Sequence, residues 1–253
     1  MTDPTVSVFI RSYRGDREWL TYCLRSIKKF LREHHELVVC LPVGDEPHFD
    51  LYDFHGARVV WHKDVAGDGY LSQQEAKLHA DTYCTGSHIM FLDSDCFLTE
   101  ITSVLDFFSG QFGSWGDFVA EKPIMLLRHW SEVGEAIMWQ PVVTKALGEP
   151  SAFECMAAQP LIYDRQSFPL LRQHMESLHN MSVTDYISRV KGRDFSEFNV
   201  LGAFCLRYTP HLYDFRIANP ATDGFPRTIR QQWSWQQGGV ERHRAEYEEI
   251  LAR

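Results

Sequence analysis

Apolar and polar positions in the first hundred residues switch repeatedly between two periods. Val6 to Ile10 is a short apolar run rich in β-branched residues. After the polar turn Arg11 to Asp16, apolar side chains recur at Trp19, Leu20, Cys23, Leu24, Ile27, Phe30 and Leu31, a spacing that traces one face of a helix. Leu37 to Leu41 reads as a second strand stopped by Pro42, Val59 to Trp61 as a third and His88 to Leu92 as a fourth, with a helical stretch over Ser72 to Tyr83 between the last two. Strand, helix, strand repetition implies a mainly parallel sheet covered by helices, an α/β fold. Ligands of such sheets bind outside the carboxyl ends of the strands, so the loops after Ile10, Trp61 and Leu92 should share one crevice.

Beyond Glu100 the alternation weakens. Helical signals over Ile101 to Phe108, Ser131 to Ala146 and Phe168 to Leu178 are separated by apolar runs at Phe118 to Ala120, Ile124 to Leu127 and Pro160 to Tyr163. The stretch Asn219 to Gly239 is rich in Pro, Gly, Gln and Trp. No repeat, low-complexity tract or linker divides the chain. We read 1–253 as a single domain in which 1–100 forms the first half and 101–253 elaborates it.

Composition narrows the classes. With 44% hydrophobic and 23% charged residues the chain can bury a core, and no apolar stretch has the roughly 18 residues a membrane helix needs. The start, Met1 to Pro4, is polar and lacks a basic n-region, which points to an unexported, cytoplasmic protein. Six cysteines without a C-x-x-C pair read as reduced, buried thiols. A formal net charge of −9 argues against a broad grip on nucleic acid. Residues 189–253 nevertheless hold ten Lys/Arg against eight Asp/Glu, a balance of +2, so an anionic partner there stays open.

The sharpest chemical feature is Asp93-Ser94-Asp95, directly after the strand His88 to Leu92. Its position carries the weight, because 17 aspartates in 253 residues give about one D-x-D by chance. At the end of a buried parallel strand the two carboxylates would point the same way, as hard oxygen ligands for Mn²⁺ or Mg²⁺. The competing reading is an Asp cap on a helix beginning near Thr99. In Gly67 to Leu78 a flexible loop precedes a helix, where Ser72 could cap and Lys77 could reach a phosphate or lie in solvent. Tyr13 could stack on a base and Arg11 pair with phosphate, though a surface loop needs neither. Near the end, Trp233-Ser234-Trp235 puts two indoles on one side, as an aromatic platform or as an anchor on the core; Arg227 and Arg230 lie close by.

Together these pieces resemble a family. The V-S-V-F-I strand followed by R-S-Y, the helix entry Gly67-Tyr70-Gln73-Gln74-Lys77-Leu78, the strand ending in D-S-D and the later Phe195 to Gly202 look like the small nucleotide-diphospho-sugar glycosyltransferases of the GT-A fold found in bacteria and phages. The similarity spans most of residues 6–205. It implies transfer of a sugar from a UDP-sugar to an acceptor hydroxyl, with 1–100 as the nucleotide-sugar half and 101–253 as the acceptor half. By the same analogy Arg11, Ser12, Tyr13 and Asp16 border the nucleoside, Gln73, Gln74 and Lys77 approach ribose or phosphates, and Asp93 and Asp95 hold the divalent cation, Asp93 also touching the donor. Glu197 matches the carboxylate facing the acceptor: a base if the reaction inverts, a sugar-binding group if it retains, or simply a helix cap. Asp194 and Glu154 are weaker substitutes for it. Asn199, Trp233 and Trp235 fall on the acceptor side, and His211 or His243 could complete the metal shell. The acceptor is a bacterial surface glycan or a hydroxymethylated pyrimidine in phage DNA. A nucleotidyltransferase or phosphohydrolase using the same aspartates, and a non-catalytic binding module, are the competing classes.

Overall fold

The computed structural model describes residues 4–65, 67–112, 118–235 and 238–253; of the polar start only Pro4 falls among them. In chain order the main elements are β1 (Val6–Arg11), α1 (Arg17–Phe30), β2 (Glu36–Pro42), β3 (Arg58–His62), α2 (Gly69–Leu78), β4 (His88–Asp93), β5 (Cys96–Leu98), β6 (Phe108–Phe112) and β7 (Phe118–His129). They continue with α3 (Gln140–Leu147), β8 (Phe153–Glu154), β9 (Leu161–Asp164), α4 (Ser167–His179), α5 (Val183–Arg189), α6 (Glu197–Tyr208), β10 (Asp214–Ile217), β11 (Ile229–Gln231) and α7 (Arg244–Ala252).

The expected parallel sheet is present. Its order is β9-β4-β1-β2-β3, with β4, β1, β2 and β3 mutually parallel and β9 antiparallel on the β4 edge. Each inner strand is buried on both faces, so its side chains divide between two cores. Val6, Val8, Ile10, Met90 and Leu92 join the α1 residues Leu20, Cys23, Leu24 and Ile27 on one side. Phe9, Ile89 and Phe91 join Leu71 and Ala76 of α2, Phe168 of α4 and Phe198 and Leu201 of α6 on the other. Gly202 lets α6 approach closely, because a Cβ there would lie 2.3 Å from the Cβ of Cys155. All six cysteines are free and buried. No helix among the described residues is long and apolar enough to cross a membrane.

The second half departs from the sequence reading in several places. The apolar runs at Phe118 to Ala120 and Ile124 to Leu127 belong to one strand, β7, which runs through Pro123 and is flanked by β6, β8 and β10. Ile101 to Phe108 holds a two-residue strand and a short 3₁₀ turn in place of a helix, and only the end of Ser131 to Ala146 is α-helical. The helix at Ser72 begins earlier, at Gly69, and its cap is Asp68, whose side chain accepts from the Tyr70 and Leu71 amides. Ser72 instead donates to the Val65 and Asp68 carbonyls from inside the first turn. No helix starts near Thr99: the chain leaves Asp95 directly into β5, which removes the cap reading of the D-S-D motif.

Candidate active site

The carboxyl ends of β1, β3 and β4 converge as the topology requires. Arg11, the last residue of β1, stands in register with Asp93, the last of β4. Its guanidinium is buried and donates to Asp64 beyond β3 at 2.8 Å and to the carbonyls of Ser12 and Cys40. Arg11 therefore ties the loops together, and its bonded nitrogens are already spent on protein oxygens. Two polar atoms here are buried without a partner, Arg11 Nε and Ser12 Oγ. Such atoms are costly unless a ligand or water meets them. Tyr13 is half exposed at the rim, its hydroxyl pKa raised by partial burial and by Asp16 and Asp45.

Lys77 lies in the last turn of α2, too far from that helix's amide end to share an anion with it. It is not the solvated lysine of the bland reading. Its ammonium is buried and donates to Asp93 Oδ1 and Glu197 Oε1, each at 2.9 Å, 4.5 Å from the centre of the Phe198 ring. Burial disfavours the charge, but Asp93 and Glu197 outweigh it and raise the pKa. Glu197 opens α6, where a negative charge suits the helix dipole. It caps nothing with its side chain, and its backbone N–H donates to Gln74 Oε1. Gln74 is buried with its Nε2 unpartnered, whereas Gln73 is half-buried beside it. Of the substitutes for Glu197, Asp194 is exposed and Glu154 is buried in an ion pair with Arg128.

Besides Lys77, three donors make four hydrogen bonds to the two aspartates. Asp93 Oδ2 accepts from Gln231 at 3.0 Å and Gln159 at 3.4 Å, while Asp95 accepts from Gln231 at 3.3 Å and the Ser234 amide at 3.0 Å. Ser94, between them, donates to Asp16. Burial, then the neighbouring Asp93 charge, push the Asp95 carboxyl up to about 7, and burial also raises Asp16. Lys77 thus bridges Asp93 and Glu197, while Asp95 and Asp16 stand near Asp93, so the hard oxygens that could hold a divalent cation are the carboxylates of Asp93 and Asp95. Neither candidate histidine joins it: His211 is exposed, and His243 packs against Trp19 and Tyr247.

The same C-terminal strap carries the tryptophans. β11 pairs antiparallel with β5, and Gln232 N–H donates to the Asp95 carbonyl, so Trp233 and Trp235 flank a residue tied to the D-S-D motif. Their ring centres are 6.1 Å apart, and they are 49% and 78% exposed. An anchor on the core would be covered, so the anchoring reading fails for Trp235. Asn199 is fully buried and spends its amide on the Cys155 N–H, Met156 and Ser196.

No family model matches the sequence, and no curated protein matches it. Solved structures do align. The galactosyltransferase LgtC, determined with donor and acceptor sugar analogues, superposes at TM-score 0.54 over 97% of this chain and 95% of its own, at 12% identity. The chain has a GT-A-like fold. An active-site variant of LgtC gives TM-score 0.52 at the same identity and coverage. GlyE of Streptococcus pneumoniae TIGR4 aligns with all of this chain at 12% identity and TM-score 0.49, and the chain spans 61% of that protein's length. The LgtC likenesses match the expected fold class; the phage half of the resemblance gains nothing from them.

Four residues of this site escaped the sequence reading: Asp64, Gln159, Gln231 and Ser234. Gln159 and Gln231 reach Asp93 across 66 and 138 positions of chain, and only the Gln and Trp bias of the end hinted at the second.

Proposed function

We propose that the protein transfers a sugar from a UDP-sugar to a hydroxyl of a carbohydrate acceptor. The observation that carries this reading is the buried Lys77 ammonium joining Asp93 to Glu197 at the carboxyl end of the sheet, in a fold shared with a sugar transferase. As the glycosidic bond breaks, negative charge grows on the departing diphosphate, and fixed positive charge there lowers the barrier most. Lys77 supplies one such charge. Asp93 and Asp95 would hold Mn²⁺ or Mg²⁺, which when bound supplies Lewis-acid neutralisation of the diphosphate. Ser12 and Gln74 offer unpartnered polar atoms to the donor, and Tyr13 and Asp16 border the nucleoside at the rim. Glu197 Oε2 takes the proton from the attacking hydroxyl, while Oε1 stays bound to Lys77.

Two features favour a glycan over duplex DNA as acceptor. The exposed Trp233 and Trp235 suit the apolar faces of sugar rings. Six of the ten basic side chains of the last quarter are ion-paired within the protein, Arg207 with Glu149, Arg216 with Asp214, Arg227 with Asp223, Arg230 with Glu246, Arg244 with Glu18 and Arg253 with Glu249, while Arg189, Lys191 and Arg193 are exposed. Phosphate recognition needs basic side chains free to give up their counter-ions. The test offers a panel of UDP-sugars with Mn²⁺ to glycan extracts and to hydroxymethylated DNA, and weighs the products by mass spectrometry. A gain of one sugar on glycan, insensitive to salt, is expected; a gain on DNA alone would overturn the acceptor assignment. Release of a nucleoside monophosphate in place of UDP would favour nucleotidyl transfer or phosphohydrolysis.

A further inference from the structure

Two carboxylates leave most of the coordination shell of a divalent ion between Asp93 and Asp95 to other oxygens. Among the described residues no group of three His, Cys, Asp or Glu is arranged to supply them. The side chain that touches both carboxylates is an amide. Gln231 Nε2 lies 3.0 Å from Asp93 Oδ2 and 3.3 Å from Asp95 Oδ1, spanning the gap where a shared cation would have to be held. The backbone fixes it there, because Gln231 is in register with Cys96, one residue beyond Asp95.

We propose that Gln231 is the third protein ligand of the cation site, with an amide that serves both states of it. Without the ion, its NH₂ group donates to the two carboxylates and offsets their repulsion. With the ion, the amide turns over and presents Oε1, a hard carbonyl oxygen of the kind such ions accept. The two ends of a carboxamide have nearly the same shape, and the terminal torsion is soft, so the exchange requires no repacking. A glutamate would add a further negative charge beside Asp16, Asp93 and Asp95, and a hydrocarbon would leave both aspartates short of a donor. Gln159 supports the same picture: its Nε2 approaches Asp93 while its Oε1 is buried without a partner, an acceptor that the present donors leave unused.

The proposal rests on Asp93 and Asp95 as cation ligands, and its test separates the two. Mn²⁺ binding to the full chain, without donor, is measured from the electron paramagnetic resonance signal of the free ion, for the wild type, Gln231→Leu, Gln231→Glu and Asp95→Asn. Gln231→Leu should weaken binding at least tenfold, a loss typical of removing a group that supports a metal site. Gln231→Glu should bind at least as tightly as the wild type, and its thermal midpoint should fall in chelator and recover with Mn²⁺. Wild-type affinity in Gln231→Leu, alongside loss in Asp95→Asn, would overturn the role of Gln231 and leave the aspartates standing. Should Gln231→Leu not fold, weaker binding by Gln231→Glu would overturn it equally. A wild type that binds no Mn²⁺ would remove both.

Discussion

Replacing Lys77 by Met removes a charge while nearly keeping the volume of the side chain, and the surrounding groups set the cost. At an effective dielectric of about 20, each of the two 2.9 Å contacts is worth about 6 kcal/mol gross. Desolvation of the ammonium takes back several kcal/mol of that sum. Truncation is nevertheless expensive, because Glu197 is left buried and Asp93 largely so, with no counter-charge. Breaking one side of a buried pair costs about 3–5 kcal/mol, and for a chain of this length that corresponds to a fall in thermal midpoint of order 10 °C. Urea unfolding in the presence of chelator reads the loss directly. The double variant Lys77→Met with Glu197→Gln removes one of the stranded charges, so it should recover about 1–3 kcal/mol relative to the sum of the single changes. A Lys77→Met protein that unfolds at the wild-type urea concentration, or a strictly additive double variant, would refute the reasoning that this ammonium holds the site together.

Trp235→Ala and Trp233→Ala should fold normally, because both rings are exposed, and should raise KM for the acceptor by about 5–30-fold, from about 1–2 kcal/mol of lost aromatic contact each. Donor hydrolysis in the absence of acceptor should be unchanged, and a fall in donor affinity instead would move the tryptophans out of the acceptor site. Acid should weaken the amino-terminal end of the sheet. Burial acts to raise the Glu36 carboxyl, but Arg58 and the donors from Thr85 and Ser7 outweigh it and bring it down to about 2. The stability this contributes is fully present above the usual carboxylate range and is lost as pH falls toward 2, at most about 3 kcal/mol. Urea midpoints between pH 6 and 2.5 should therefore fall more steeply for the wild type than for Glu36→Gln, and parallel curves would contradict the assignment.

The parts of the fold that were legible in the sequence are those whose burial leaves a clean period. β1, β2 and β4 are covered on both faces, so they read as apolar runs, and α1 exposes one stripe and buries the other. β7 was split because its start faces solvent at Val119 and carries Glu121, Lys122 and Pro123 before the buried Ile124 to Leu127. α6 is enclosed from Glu197 to Cys205, which erases the one-sided pattern that marks a surface helix. α7 shows the opposite defect, with only Tyr247 and Ile250 buried. In the candidate site, Asp93 and Asp95 could be singled out because they follow a buried strand at the carboxyl edge of the sheet, Lys77 only in company with that motif, and Glu197 only through the family resemblance. Asp64, Gln159 and Gln231 could not, because nothing local distinguishes a polar residue whose partner lies on a distant element.

The central claim is that Asp93 and Asp95 serve the departure of a nucleoside diphosphate from a sugar. UDP release from a panel of UDP-sugars, with Mn²⁺ present, tests it in the wild type, Asp93→Asn and Asp95→Asn, each shown to be folded by circular dichroism. The account predicts release by the wild type with at least one donor and a loss of about 100-fold or more in both variants, the scale of removing one electrostatic stabiliser of a transition state. Release at the wild-type rate in both variants, or no release by the wild type from any donor with acceptor glycans supplied, would contradict it.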